Sequence, residues 1–124
     1  MKKMNQSNQT EVFNKNFIRI ILESWRLKKS FERAIVFLDY KEQKKNLSKI
    51  KWFDNVLQEV MENSKLKLVN FEGEPFTSGI PATAVNIEDF DSEDELYVKQ
   101  TIEPTILDEN AAIVHSGSII VEKV

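Results

Sequence analysis

Residues 13–38 read FNKNFIRIILESWRLKKSFERAIVFL, and the fold turns on this stretch. Apolar residues recur at alternating steps of four and three: Phe13, Phe17, Ile20, Leu27, Phe31, Ala34 and Leu38, with Ser24 as the polar member of the series. That spacing holds a stripe on one side of an α-helix and is the seam pattern of paired helices. Ile21 and Ile35 widen the stripe, and Trp25 flanks it. No glycine or proline interrupts the stretch. Asn8 followed by Glu11 supplies a helix-start signal, a side-chain acceptor with a carboxylate three residues on. The pattern predicts about 28 residues of helix, and each fully buried Leu, Ile or Phe would contribute roughly 1.5–3 kcal/mol. Seven such positions left wet on an isolated helix would be costly, so the seam predicts a partner face.

Outward from this stretch, Asp39 to Asn46 is polar and charged and reads as a turn. A second amphipathic helix is expected over about 47–64, with Leu47, Ile50, Phe53, Leu57 and Val60 on one side. Trp52, Val56 and Met61 broaden that side. A helical hairpin with broad apolar faces often completes a four-helix bundle by dimerising.

The periodicity changes after Lys65. Leu66–Phe71 and Thr83–Ile87 are strand candidates, separated by a turn-rich segment containing Gly73, Pro75 and Gly79. Leu96, Val98 and Ile102 alternate with Tyr97, Lys99 and Thr101, a period of two that marks a strand. Pro104 ends that strand or places it on an edge. Asp108–Asn110 suggests a turn, and Ala111–His115 with Ser118–Val124 suggest a closing hairpin about Ser116–Gly117. The expected class is α+β: a long N-terminal helix and a second helix forming a dimeric coiled coil or four-helix bundle, then a small all-β unit. The expected divisions are a flexible N-terminus over 1–9, a helical dimerisation region over 10–65 and a β-domain over 66–124.

Composition agrees with that division. The 30% charged share is high and the 41% hydrophobic share a little low, which suits an elongated or oligomeric protein with much surface. Residues 1–65 carry 14 Lys/Arg against 8 Asp/Glu, a net +6, while residues 66–124 carry 3 against 12, a net −9. Two structural units with different surface roles are implied. The chain has no cysteine, which removes disulfides, thiolate nucleophiles and thiolate-bound zinc. No secretory leader pattern is visible at the polar start, and the longest apolar run, Ala34–Leu38, is far short of the roughly 18 residues of a membrane span. A cytoplasmic protein without a membrane partner is the expectation.

Catalytic constellations are not found. His115 is the only histidine, so no two-histidine metal site can form. A Ser-His-Asp set of Ser116, His115 and Asp108 lacks any nucleophile-elbow or oxyanion-loop context. Asp89, Asp91 and Glu93 have the alternate spacing of a calcium loop, but the loop needs Gly at its sixth position and Glu at its twelfth. Asp94 and Gln100 stand there instead, so a solvated acidic connector is preferred, with an electrostatic docking surface for a basic partner as the second reading. The lysines of the helical half, such as Lys28, Lys29, Lys44, Lys45, Lys49 and Lys51, are interspersed with acids, and a solvated helix face is preferred to nucleic-acid binding. No enzyme activity and no cofactor are expected.

The order of parts resembles the GrpE nucleotide exchange factors: a long pairing helix, a bundle-forming helix and a small C-terminal β-domain. Phe31-Glu32-Arg33-Ala34 is similar to that family's Leu-Glu-Arg-Ala segment. Val56-Leu57 to Val69, followed by Phe71-Glu72-Gly73-Glu74-Pro75-Phe76, resembles its passage into the β-domain, where Gly-Glu-Pro-Phe recurs. Tyr97–Ile102 and Ile113–Val121 resemble its two closing strand regions. The likeness spans roughly residues 17–124 and rests on the shared order of weak motifs. There are departures. Thr77-Ser78-Gly79-Ile80-Pro81-Ala82 replaces the family's Asp-Pro turn and His-Glu-Ala stretch, and His115 stands where the family has Arg. The family's Gly-Tyr pair is replaced near Pro104-Thr105, and much of its long stalk is missing.

The resemblance implies a homodimeric co-chaperone that promotes nucleotide release from a DnaK-type ATPase through its β-domain. The seam of Phe13, Phe17, Ile20, Leu27, Phe31, Ala34 and Leu38 would hold the dimer, and Leu47, Ile50, Phe53, Leu57 and Val60 the bundle. Partner binding would fall to surface residues: Thr77, Gly79, Ile80 and Pro81 of one loop, Asp89 and Asp91 of the connector, and His115 with Ser116. The alternative is a coiled-coil assembly or adaptor subunit of a multiprotein complex with no chaperone client.

Overall fold

The computed structural model describes residues 6–124, with side chains from residue 9 onward. Two helices, α1 (Gln6–Ile35) and α2 (Tyr40–Asn63), precede six strands: β1 (Leu66–Val69), β2 (Ala82–Ala84), β3 (Leu96–Glu103), β4 (Thr105–Asp108), β5 (Ile113–His115) and β6 (Gly117–Lys123). The class is α+β. The chain divides after Asn55 into two compact units, the last two turns of α2 belonging to the second. Residues 1–5, part of the expected flexible N-terminus, lie outside the described residues; the rest of that segment is helical, so Asn8 sits within α1 rather than capping it.

The inter-helix turn is shorter and earlier than the sequence suggests. It is Val36–Asp39, not Asp39–Asn46. The Asp39 carboxylate accepts the Glu42 amide at 2.9 Å, and the Gln43 amide donates to the Asp39 carbonyl at 2.8 Å. Asp39 is therefore the N-cap, which converts the polar run behind it into the first turns of α2. The Gln43 side chain reaches back and donates to the carbonyls of Val36 and Leu38, both at 3.0 Å. Those bonds satisfy two carbonyls of the turn that lack a helical partner. Leu38 consequently leaves the helical seam and lies in the turn.

Helix α1 carries two apolar faces. Ile21, Leu22, Trp25 and Ile35 are buried. The four-three stripe is open instead: Phe13 is 69% exposed, Ile20 60% and Leu27 70%, with Phe31, Ala34 and Leu38 also exposed and Phe17 half-buried. The Phe13 and Phe17 rings stack one turn apart, centroids 6.3 Å apart. On α2, Ile50 is buried, Phe53 and Leu57 are half-buried, and Leu47 and Val60 are exposed. Lys28 Nζ lies 2.7 Å from an Asp54 carboxylate oxygen and ties the two helices in register.

The second unit consists of two three-stranded sheets, ordered β1-β4-β5 and β2-β6-β3. β1 and β5 flank β4 antiparallel, while β6 pairs antiparallel with β3 and parallel with β2. Strands β3 and β4 form one continuous run bent at Pro104, and β5 and β6 form another bent at Ser116. The segment Ser116–Gly117 is thus a corner where the chain changes sheets, not the hairpin turn the sequence suggests. The hairpin turn is Glu109–Ala112. There the Asp108 carboxylate accepts the amides of Asn110 (2.8 Å) and Ala112 (2.9 Å), and Ala111 takes a positive φ of 62°. Thr105–Asp108 is a strand that the sequence reading left unassigned. β1 stops at Val69 and β2 at Ala84, both earlier than expected, because the Asn70 side chain accepts the Glu72 amide and begins a turn, and Ile87–Asp89 forms a single 3-10 turn.

The core of the β2-β6-β3 sheet is Ala84, Leu96, Val98, Ile119 and Val121, with Phe71, Phe76, Ile80, Ala82 and Phe90 packed on it. The Gly-Glu-Pro-Phe stretch lies along the free edge of β3. Gly73 donates to Val98 O (2.8 Å), Glu74 O accepts the Val98 amide (2.9 Å), and Phe76 donates to Leu96 O (2.9 Å). Gly73 has φ 86°, the left-handed conformation for which glycine is suited.

Candidate protein-interaction sites

The corner between the two sheets is where the sequence-nominated β-unit residues meet. Gly117 crosses so close to the other strand that a Cβ there would lie 2.5 Å from Glu103 O and 2.8 Å from the Pro104 carbonyl carbon. Only glycine fits such an approach. The Thr105 hydroxyl, buried beside it, accepts the Gly117 amide at 3.1 Å and donates to Pro81 O at 2.8 Å. Its proton and a lone pair are committed to holding three segments together. The parallel register then sets Ala82 beside Gly117, which brings the end of the Thr77–Pro81 loop to the Ser116 corner. His115 adds a second tie, its Nε2 lying 3.0 Å from Glu103 Oε1.

Pro81 and Ser116 are therefore brought to the same corner, with His115 preceding Ser116 in the chain, although 35 residues separate Pro81 from Ser116. Thr77 and Gly79 are exposed on the adjoining loop. Ile80 is not a free contact residue: it packs against the sheet core, and its amide donates to Thr77 O. Its apolar side chain has a better use inside than in solvent.

Asp89 and Asp91 lie elsewhere. Asn86 anchors their segment by donating to Val121 O (2.8 Å) and accepting the Val121 amide (3.0 Å). Gly117 and Val121 are four residues apart on β6, roughly 13 Å of strand. The acidic connector thus sits at the opposite end of β6 from the corner. It is also partly committed internally: Asp94 accepts the Asp91 amide at 2.9 Å and pairs with Lys123 at 3.7 Å. Asp89 and Asp91 remain exposed.

Sequence reasoning missed Glu103, Thr105 and Asn86. Each works through a contact twelve to thirty-five residues away. The only local signals were a polar residue on either side of Pro104 and a lone Asn after a short strand. On β3 and β6, the Tyr97 hydroxyl donates to Glu122 Oε2 at 2.6 Å, and Lys99 lies 3.4 Å from the other carboxylate oxygen. The hydrogen bond to Glu122 raises the Tyr97 phenol above its usual range, helped by partial burial and by the carboxylate charge. The same bond, with Lys99 second, holds the Glu122 carboxyl low.

The helical unit offers a different kind of surface. Leu27 and Phe31 on α1 and Ile50 and Phe53 on α2 line an open groove of about 270 Å³, rimmed by Lys28 and Lys49. The groove continues the open seam onto α2. No described helix is long and apolar enough to cross a membrane. No family model, no curated protein and no solved structure matches the chain.

Proposed function

We propose that this protein is a GrpE-like homodimeric co-chaperone, working in the cytoplasm, that promotes nucleotide release from a DnaK-type ATPase through its β-unit. The observation that carries the reading is the second, open apolar face of α1. A helix that has already buried Ile21, Leu22, Trp25 and Ile35 still exposes Phe13, Ile20, Leu27 and Phe31. Two copies joined along this face complete a four-helix bundle. The order of two helices and a small β-unit, and the placement of Gly-Glu-Pro-Phe against β3, support the family reading.

In this mechanism no bond is made or broken by the protein. The β-unit binds the nucleotide-free, open form of the ATPase more tightly than the closed form. Linkage then requires nucleotide to weaken the grip by the same factor by which the grip weakens nucleotide. The Pro81–His115–Ser116 corner and the Thr77–Gly79 loop are the surfaces assigned to that grip, with Asp89 and Asp91 as a separate electrostatic contact.

The test is nucleotide release from the DnaK-type ATPase of the source cell, followed with a fluorescent ADP analogue. The expected result is release at least tenfold faster with the protein added, and reversal by excess nucleotide. Unchanged release at saturating protein would overturn the reading. The second reading, an assembly subunit without an ATPase client, is favoured by His115 itself. The residue that replaces the family's Arg is held by Glu103 rather than extended toward a partner. Recovery from the source cell of a complex whose helices pair with residues 13–38 would support it.

A further inference from the structure

The tip of the helical hairpin has a composition opposite to that of an ordinary turn. Inter-element turns favour Gly, Asn, Asp, Ser and Pro. Here Val36 (63% exposed), Phe37 (88%), Leu38 (41%) and Tyr40 (72%) project into solvent. The turn is not loose: Asp39 caps α2, and the Gln43 side chain bonds to the carbonyls of Val36 and Leu38. A fixed backbone therefore presents four apolar side chains outward.

Their surroundings are basic. Residues 33–51 contain Arg33, Lys41, Lys44, Lys45, Lys49 and Lys51 against Asp39 and Glu42, a net +4. Lys41, Lys44 and Lys45 are exposed on the first turns of α2. Lys44 Nζ sits 5.4 Å from the Tyr40 ring centre, so one charge stands directly at the tip. The acids of the tip are few: Asp39 accepts the Glu42 amide, Glu42 itself is exposed, and the strongly acidic part of the chain begins only after residue 65.

We infer that the hairpin tip is a peripheral docking site for an anionic lipid surface. Phe37, with Val36 and Leu38, enters the headgroup–acyl boundary. Tyr40 lies at headgroup depth, where an amphipathic ring is favoured. The lysines keep their ammonium groups on the phosphates while their stems cover apolar surface. A protein surface with the same two features could also receive this tip. The lipid surface is the better match, because Phe37 and Tyr40, the most exposed of the four, stand outside the hollow that Val36 lines with Ile35, Gln43 and Leu47, and Lys44 lies against Tyr40. A surface contact of this kind needs no spanning segment, so it sets aside the expectation that no membrane is touched. It is independent of the exchange-factor reading.

Co-sedimentation of the full chain tests it, with vesicles of phosphatidylcholine alone and of phosphatidylcholine mixed with phosphatidylglycerol. The chain is expected to pellet with the mixed vesicles at low salt, to be released by added salt and to ignore the neutral ones. Phe37→Ser should lower partition about tenfold, and Lys44→Glu with Lys45→Glu should do the same. Both sites are exposed, so circular dichroism of the variants should match that of the parent. Val124→Ser, at an exposed apolar residue of the β-unit, should leave partition unchanged. No binding to mixed vesicles, or binding lost with Val124→Ser but not with Phe37→Ser, overturns the inference. So does a shift from dimer to monomer on Phe37→Ser without vesicle binding by the parent, since the tip would then be a contact between copies.

Discussion

The two units solve the problem of a small core in opposite ways. The helical unit leaves a whole face of its longer helix open, although that face is the more regular of the two in sequence. The β-unit, of similar size, closes on itself. It does so with long-range polar ties as much as with apolar side chains: Thr105 between Pro81 and Gly117, Asn86 on Val121, His115 on Glu103. A β-unit of under 70 residues buries too little surface to rely on hydrophobic contact alone. A hairpin of two amphipathic helices has another recourse, a second copy. The difference predicts that stability of the helical unit depends on protein concentration and stability of the β-unit does not.

The largest effect should come from the open face. Phe17→Asp with Phe31→Asp removes two aromatic anchors and places charge in the seam. Both rings are already partly covered within one copy, so roughly 1 kcal/mol of burial is lost for each, and two carboxylates must be seated in the seam; association should weaken at least a hundredfold. Sedimentation should show dimer becoming monomer, while the far-ultraviolet spectrum of the β-strands is unchanged. A parent chain that sediments as a monomer at all concentrations would break the comparison at its first term.

The β-unit has its counterpart at Gly117. A methyl group added there meets Glu103 O at 2.5 Å and the Pro104 carbonyl carbon at 2.8 Å. Both are backbone atoms and cannot rotate away. Gly117→Ala should therefore cost about 3 kcal/mol, with the unfolding midpoint in urea falling equally at low and high protein concentration. A variant within about half a kcal/mol of the parent would mean that the corner is not a tight crossing. Together the two substitutions separate the proposed pairing of the helical unit from the self-closure of the β-unit.

How far each unit was legible follows from the same difference. Helical periodicity is a local signal, so the stripe from Phe13 to Ala34 and the existence of both helices could be read directly. What could not be read was which apolar face is covered. Ile21, Trp25 and Ile35 looked like flanks of the seam and are the buried face instead. The turn was misplaced because Lys41–Asn46 is polar, and polarity marks a loop and an exposed helix face alike; Asp39, the cap, was the discriminating residue. In the β-unit the strands at Leu96 and Ser118 were visible as alternation, and Pro104 as a break. The sheet change at Ser116 was not. A turn and a corner need the same small residues, and only the partners of β5 and β6 distinguish them. The candidate corner was half legible for that reason: His115, Ser116 and Pro81 drew notice as surface residues, while Glu103 and Thr105, which join them, had no local mark.

The smallest predicted effect tests whether polar ties on the open side of the β2-β6-β3 sheet contribute as the buried ones do. The Tyr97–Glu122 hydrogen bond is short, 2.6 Å, but it faces solvent and is screened. Glu122 is held below the ordinary carboxylate value of 4.5, first by the Tyr97 bond and then by Lys99. A lowered folded value means that this stabilisation is present above the unfolded carboxyl range and is lost as pH falls through the folded value. Tyr97 is shifted the other way, above 10.0. Its raised folded value means that stabilisation is present below the unfolded phenol range and is lost as pH rises through the folded value. One bond thus fails at both ends of the pH scale, when Glu122 gains a proton and when Tyr97 loses one. Tyr97→Phe should slightly lower the melting temperature at neutral pH and flatten its decline on both the acid and the alkaline side. Lys99→Met should weaken only the acid limb, because the Lys99 charge acts on Glu122 and has no part in the Tyr97 shift. If Tyr97→Phe left both limbs as steep as in the parent, the bond would contribute nothing to the folded state, and the self-closure of the β-unit would rest on its buried corner alone.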